Sequence, residues 1–347
     1  MKNYLSIRCG RLSIVAGLGV ACLALGGCPN SESSNVGGAG GAGDGAISDV
    51  PAGGAGVSES ESATGLQVFP ADNPWNTDIS AYPVHANSAN FIASIGAERG
   101  LHPDFGTEWE GAPIGIPYTL VDASTPRVNV SFDYADESDA GPYPIPLDAL
   151  IEGGPNSSGD RHVILLDIQA KKLYELFAAY PQDDGSWSAG SGAIWDLTSN
   201  DRRPWGWTSA DAAGLAIFPG LVRYDEVVEQ GEIRHALRFT VSRTQRAAIL
   251  PATHFASSNT DPNLPPMGLR VRLKADFDVS GFSANVQVIL RAMKRYGMIV
   301  ADNGSNWYVS GAPDARWNDD ELRQLKQVYG RDFEVVDTGP ALTAEPS

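Results

Sequence analysis

Residues 163–177 read VILLDIQAKKLYELF, two apolar runs on either side of a polar centre. The runs Val163 to Asp167 and Leu173 to Phe177 are rich in aliphatic and aromatic residues, whereas Gln169 to Lys172 is polar. Short apolar runs that a polar turn separates are typical of a β-hairpin. The stretch therefore predicts two antiparallel strands joined by a tight connection.

Similar short runs recur in the C-terminal part of the chain. The further predicted strands are Ala236 to Val241, Leu269 to Leu273, Met298 to Ala301 and Trp307 to Ser310. The last two flank Asp302-Asn303-Gly304-Ser305, and an Asn-Gly pair between two strands favours a two-residue turn. We therefore expect these two strands to form a second hairpin.

Helical patterns are fewer. Apolar residues recur with helical spacing in three segments, each followed by a glycine: Asn87 to Arg99, Ser283 to Tyr296 and Asp319 to Tyr329. Ser283 is a favoured N-cap residue, and Gly297 directly follows the second segment. Because strands outnumber helices, we predict a β-rich α+β fold of packed antiparallel, sandwich-like sheets with a few peripheral helices.

Composition divides the chain into parts. Residues 28–65 consist mainly of Gly, Ala, Ser and Glu. Such a segment cannot bury enough apolar surface to order itself and is predicted to be a disordered linker. Residues 66–338 have the composition of a single large globular domain. Residues 339–347 are predicted to be a disordered tail.

The N-terminal segment has the pattern of an export signal. Three basic residues precede an apolar run at 12–25, which is shorter than the roughly 20 residues that span a bilayer. The run closes on Leu25-Gly26-Gly27-Cys28, which resembles the lipobox of bacterial lipoproteins. The resemblance implies that residues 1–27 are removed and that Cys28 carries diacylglycerol. A plain secretory signal with an incidental cysteine is the alternative.

The residue after Cys28 bears on the location. Pro29 stands where, in well-studied Gram-negative lipoproteins, Asp retains the protein in the inner membrane. The resemblance implies a lipid-anchored, extracytoplasmic protein of the cell envelope, in the outer membrane if the organism is Gram-negative. No cysteine follows Cys28, so the exported domain would have no disulfide and no thiolate metal site.

Charge and motifs exclude several classes of function. The formal net charge is −17, and removal of residues 1–27 leaves 22 basic against 42 acidic residues. Such a surface repels nucleic acid and anionic lipid, so we expect no nucleic-acid partner and membrane contact through the lipid alone. Phosphate-loop, dinucleotide-binding, GxSxG and metal-ligand spacings are missing from the sequence. We expect a monomer with no cofactor and no metal.

One stretch has the composition of a carbohydrate site. Four of the eight tryptophans lie between Trp187 and Trp207, among Asp, Asn and Arg residues. A sugar ring has an apolar face that stacks on aromatic rings and hydroxyls that bind polar side chains. The predicted substrate-binding residues are Trp205, Trp207, Arg203, Arg223 and His254. Trp187 and Trp195 fit equally well in the interior of a sheet.

Hydrolysis of a glycosidic bond commonly uses two carboxyl groups, one as acid and one as base or nucleophile. The predicted catalytic residues are Asp211, Glu226 and Asp196. Each has a structural alternative, such as a helix start for Asp211 and a solvated turn for Glu226.

These patterns predict a membrane-anchored enzyme that hydrolyses a polysaccharide by carboxylate acid and base catalysis. The alternatives are a non-catalytic carbohydrate-binding or adhesion lipoprotein, a polysaccharide lyase that uses His254 or Tyr224 as base, and a structural envelope protein. An enzyme predicts a cleft in which two carboxyl groups lie beside an exposed tryptophan.

Overall fold

The computed structural model describes Ala63 and residues 65–346, which belong to one compact unit. The predicted signal peptide, the lipidation site Cys28 and nearly all of the predicted linker lie outside the described residues. Within the described part of the chain, no helix is both long and apolar enough to cross a membrane.

Most regular structure is in short strands. In chain order these are β1 His102–Asp104, β2 Glu108–Trp109, β3 Ala112–Pro113, β4 Tyr118–Leu120, β5 Arg127–Val128, β6 Val130–Phe132, β7 Tyr143–Pro144, β8 Val163–Asp167, β9 Lys172–Phe177, β10 Tyr180–Pro181, β11 Trp187–Ala189, β12 Ser191–Asp196, β13 Leu237–Val241, β14 Arg270–Leu273, β15 Met298–Asn303, β16 Tyr308–Ser310 and β17 Phe333–Val335.

The largest sheet is mixed and has the strand order β1-β16-β13-β15-β14-β17. β13 is parallel to β15 and antiparallel to β16, and β1 is parallel to β16. The other sheets are β12-β9-β8-β4, β10-β11-β6, β2-β3 and β5-β7. The fold is therefore β-rich α+β with several mixed and antiparallel sheets, as the sequence predicts.

The predicted hairpin at 163–177 is confirmed. β8 and β9 pair in antiparallel register from Val163 opposite Leu176 to Asp167 opposite Lys172. All five residues of β8 are buried, which explains why this strand reads as a continuous apolar run rather than an alternating one.

The second predicted hairpin is wrong. β15 and β16 are the predicted strands, but both pair with β13, which lies between them. The connecting segment crosses the end of β13, where Gly304 N–H donates to Val241 O and Trp307 N–H donates to Thr240 O. The segment with the Asn-Gly pair therefore joins two strands that are not adjacent, because β13 lies between them and forms hydrogen bonds with both.

The α-helices of the described residues are α1 Ser88–Ile95, α2 Ala284–Arg295 and α3 Asp319–Leu322. α1 ends four residues earlier than predicted, because Gly96 has φ +112°. α2 follows the prediction and ends before Gly297, which has φ +70°. The third predicted helix is interrupted: α3 passes into a 3₁₀ helix at Arg323–Gln327.

One part of the main core lies on the face of the large sheet that carries Phe239. Phe239 stacks on Trp307, which stacks on Phe333, with ring centroids 5.5 and 5.2 Å apart. α2 buries Ile289 and Met293 completely in the same core. Burial of each such side chain stabilises the fold by about 1.5–3 kcal/mol. The opposite face of β13 carries polar side chains, and there the candidate site lies.

The C-terminal residues include one ordered contact with this domain. Leu342 and Ala248 exchange two backbone hydrogen bonds of 2.8 and 2.9 Å. The segment predicted as a tail is therefore paired with the domain at Leu342.

Candidate functional site

Arg238 is the centre of the site. Side chains alternate along β13, so Phe239 faces the apolar core and Arg238 faces the other way. Arg238 is only 4 % exposed, and a buried charge requires partners. Its Nε and Nη2 donate to the two carboxylate oxygens of Asp211 at 2.7 and 2.8 Å, a bidentate pair.

Two further groups contact the same guanidinium. Arg238 Nη1 donates to Ser310 Oγ at 2.6 Å, and Nη2 lies 3.4 Å from Asp302 Oδ2. Asp302 is on β15 and Ser310 is on β16, the two neighbours of β13. Arg238 therefore links two carboxyl groups from different parts of the chain.

The two carboxyl groups differ in exposure. The side chain of Asp211 is fully buried, whereas that of Asp302 is 24 % exposed. Burial and the negative charge of Asp211 raise the pKa of Asp302 to about 7, against the opposing effect of Arg238. Asp302 therefore exchanges its proton near neutral pH, at a position that solvent reaches.

Asp104 lies on the same polar face. It is the register partner of Ser310 in the parallel pair of β1 and β16. Its carboxyl group reaches solvent, yet the surrounding protein raises its pKa, and the charge of Glu152 adds to this effect. A second accessible acid thus faces the region around Arg238.

His162 and Glu152 support the site from a neighbouring segment. His162 Nδ1 lies 2.6 Å from Glu152 Oε2, and its Nε2 lies 3.1 Å from Ala210 O. Both ring nitrogens face acceptors, so both carry a hydrogen and the ring is an imidazolium. Burial lowers the pKa of His162, but Glu152 outweighs that effect and raises it to about 9. The contact fixes the backbone directly before Asp211.

We call this set the Arg238 cluster. It comprises Asp104, Glu152, His162, Asp211, Arg238, Asp302 and Ser310. Asp211 is the only member of the cluster that the sequence pattern predicts as a site residue, because no local spacing joins the others. One signal was present: Arg238 interrupts an otherwise apolar predicted strand, where a charge is costly without a partner.

Glu226 and Arg223 lie together, outside the Arg238 cluster. Arg223 Nη2 lies 2.5 Å from Glu226 Oε1, and His235 Nε2 lies 3.0 Å from Glu226 Oε2. Burial opposes ionisation of Glu226, but Arg223 and His235 together lower its pKa. A buried carboxylate held in this way is a poor proton donor.

Asp196 is a surface residue at the end of β12. It accepts a hydrogen bond from Thr198 and pairs with Lys172 Nζ at 2.9 Å. These contacts, that of Thr198 foremost, hold the pKa of Asp196 well below its usual range. In the described structure, no contact joins Asp196 to the Arg238 cluster.

Arg203 organises the tryptophan-rich loop. It is buried, and its guanidinium lies 5.8 Å from the ring of Trp195 and 5.4 Å from that of Trp207. Its Nε donates to Thr208 O and its Nη1 to Asp139 Oδ2. These contacts hold the chain that leads into Asp211.

The other predicted binding residues flank this loop. Trp205 and Trp207 are half-buried, and Trp205 packs against the main core. His254 is also half-buried, and its Nδ1 donates to Ala212 O at 2.7 Å. His254 therefore stabilises the backbone at Ala212, the residue directly after Asp211.

Part of the tryptophan-rich stretch borders a cavity of about 340 Å³. The cavity is lined by Trp75 and Trp195 together with Asn200, Asp201 and Arg202. Trp75 and Trp195 are only 3 % and 7 % exposed, so the protein covers most of each ring. Trp195, Asn200, Asp201 and Arg202 come from the tryptophan-rich stretch, but the five predicted binding residues Trp205, Trp207, Arg203, Arg223 and His254 are not among the lining residues of this cavity.

Glu175, on β9, lies behind Trp195 and is completely buried. It accepts hydrogen bonds from Trp195 Nε1 and from the backbone N–H groups of Ile217 and Phe218. Burial raises the pKa of Glu175 to about 7, although these donors favour the ionised form. Glu175 thus connects the confirmed hairpin to the segment that follows the Asp211 loop.

Within the described residues, no group of three or more His, Cys, Asp or Glu side chains is arranged to hold a metal ion. No family model, no curated protein and no solved structure matches the chain. The function is therefore inferred from the site alone.

Proposed function

We propose that the domain hydrolyses a glycan and that Asp302 is its general acid. The supporting observation is the contact of Asp302 with the guanidinium that also holds the buried carboxylate of Asp211. A general acid must retain its proton near the working pH and still reach the substrate. The raised pKa and partial exposure of Asp302 meet both conditions.

Asp104 is the proposed base. β16 and β13 lie between its strand and that of Asp302, so the two residues belong to non-adjacent strands of one sheet. A nucleophilic pair needs carboxyl groups about 5–5.5 Å apart, whereas an inverting pair lies about 6.5–9.5 Å apart and leaves room for a water molecule. We propose inversion, because three strand spacings separate the two backbones more widely than a nucleophilic pair requires: Asp104 takes a proton from a water molecule as the water oxygen attacks the sugar, and Asp302 protonates the leaving oxygen.

Asp211 is a positioning residue in this proposal. Its side chain is fully buried, so it contacts Arg238 rather than substrate. Glu226 and Asp196 have no role in the proposed reaction, because neither residue contacts the Arg238 cluster in the described structure. The cavity bordered by Trp75 and Trp195 is the proposed place for a neighbouring sugar unit.

The proposed setting is the cell envelope, with the enzyme tethered through a lipid on Cys28. This part rests on the lipobox resemblance of Leu25-Gly26-Gly27-Cys28 alone. A tethered enzyme outside the cytoplasm would meet glycans rather than nucleotides or nucleic acids.

A polysaccharide panel tests the proposal. New reducing ends should appear with at least one neutral or acidic polymer, and the Asp302→Asn variant should release them far more slowly. Absorbance of unsaturated uronate would instead indicate a lyase. Binding of polymers without any product would contradict the enzyme and favour a binding lipoprotein.

A further inference from the structure

Arg223 has unpaired donors in a buried position. Its side chain is 2 % exposed, and neither Nε nor Nη1 has a hydrogen-bond partner within the described structure. Only Nη2 is satisfied, by Glu226, and the ring of Phe218 lies 4.8 Å from the guanidinium carbon. A buried unpaired donor costs about 1–3 kcal/mol. Arg223 therefore carries two N–H groups that no acceptor of the described structure satisfies.

The unpaired atoms belong to a residue that lines a cavity of about 230 Å³, which we call the Arg223 cavity. Its wall includes Tyr118, Tyr224, Asp225, Asp314 and Arg316 as well as Arg223. A water molecule occupies about 30 Å³ in the liquid, so the cavity has room for roughly seven or eight of them. This volume suits one small ligand, such as a single sugar unit, and is too small for a segment of a polymer.

The charges around the cavity exclude a strong anion. Arg223 is already compensated by Glu226, and Arg316 by Asp314 and Glu229 at 2.6 and 2.9 Å. Asp225 adds a further acidic group, so acidic side chains outnumber the two arginines. An anionic ligand would be repelled, whereas a neutral molecule with acceptor oxygens would satisfy Arg223.

Asp225 complements those donors. Its Oδ1 lies 3.7 Å from Arg223 Nε, and burial raises the pKa of Asp225. A hydroxyl group both accepts and donates, so neighbouring hydroxyls can accept from Arg223 and donate to Asp225. Tyr224 supplies an aromatic side chain to the wall, and its ring centroid lies 4.1 Å from the guanidinium carbon of Arg316. Sugars combine such hydroxyls with apolar C–H groups.

We propose that the Arg223 cavity binds one neutral sugar unit. The site is separate from the Arg238 cluster, since Arg223 and Asp225 have no described contact with Arg238. The proposal therefore holds or fails independently of the hydrolase activity.

Saturation-transfer NMR on the full chain in detergent solution tests it, with glucose, galactose, mannose and N-acetylglucosamine as probes. At least one should bind, and Asp225→Ala should weaken that binding at least tenfold. Glucuronate should bind more weakly than its neutral counterpart. The matched control is Asp196→Asn, an exposed acid that should leave sugar binding unchanged.

Three outcomes would overturn the proposal: no probe binds, glucuronate alone binds, or Asp225→Ala binds as the parent does. A folded-state check on Asp225→Ala comes from its thermal unfolding midpoint, and Arg223→Lys provides a second variant that keeps the charge paired with Glu226. Polymer hydrolysis that persists without monosaccharide binding would reject this site alone.

Discussion

Asp302 and Asp211 contact the same Nη2 atom of Arg238, at 3.4 and 2.8 Å, although only Asp302 reaches solvent. The shared guanidinium holds the two carboxyl groups unequally, with two hydrogen bonds to Asp211 and one longer contact to Asp302. Asp211 receives two hydrogen bonds from Arg238, and its negative charge raises the pKa of Asp302. Such inequality assigns an acid role to one member of a carboxyl pair.

Replacing Asp302 by Asn keeps the shape of the side chain and removes its transferable proton. We expect the rate of glycan hydrolysis to fall by about 10²–10⁴-fold, the usual contribution of a general acid. The measurement is kcat on whichever polymer the parent cleaves. Hydrolysis at the parental rate would remove Asp302 from the mechanism.

The proton on Asp302 also governs how kcat/KM depends on pH. Because the pKa of Asp302 is raised to about 7, its acid form is lost as the pH rises through that value. We therefore expect kcat/KM to decline above pH about 7, and to decline on the acid side as Asp104 becomes protonated. A profile that stays flat between pH 6 and pH 9 would contradict the assignment.

Removing Asp211 tests its role in holding Arg238. Asp211→Ala leaves a buried guanidinium without its bidentate partner, so we expect the free energy of unfolding to fall by about 3–5 kcal/mol. Urea denaturation measures it. The control Asp196→Ala removes an exposed acid and should change stability by less than about 1 kcal/mol. Equal effects from both variants would argue against a buried ion pair.

The contact between His162 and Glu152 makes stability depend on pH. The pKa of His162 is raised to about 9 in the folded protein from 6.5, so the folded state binds the proton more tightly. This stabilisation is fully present below pH about 6.5 and is lost as the pH rises through 9. Its upper limit is about 3 kcal/mol.

Urea denaturation between pH 6 and pH 9.5 measures this loss. His162→Gln removes the titrating ring, and its free energy of unfolding should vary less over the same interval. If parent and variant lost stability in parallel, other groups would be responsible for the trend.

Local pattern predicted much of the fold. The hairpin of β8 and β9, the strands β13 to β16 and helix α2 follow from apolar runs, turn residues and end signals, which act between neighbours in the chain. The order in which strands pair does not follow from local pattern, because any apolar strand can form hydrogen bonds along both of its edges. The sequence places β15 beside β16, yet β13 lies between them, and Asn303-Gly304 alone does not reveal that.

The Arg238 cluster shows the same limit at the level of the site. Asp104 and Asp302 are far apart in the chain and are brought onto one sheet only by its strand order, whereas His162 directly precedes β8 of another sheet. Composition identified the loop that contains Asp211, because Trp and charged residues are concentrated there. It did not identify Arg238, whose neighbours in the chain are apolar and whose partners are all distant.

The lipid anchor is tested by changing one sulfur atom to oxygen. Cys28→Ser should abolish incorporation of labelled fatty acid and move the protein from the membrane fraction to the soluble fraction, since a serine hydroxyl cannot form the thioether. Cys22→Ser is the matched control, because that residue lies within the predicted signal peptide and should leave labelling intact. Fatty-acid labelling and cell fractionation measure both properties. Labelling of Cys28→Ser, or its retention on membranes, would refute attachment through Cys28 and favour a different mode of association.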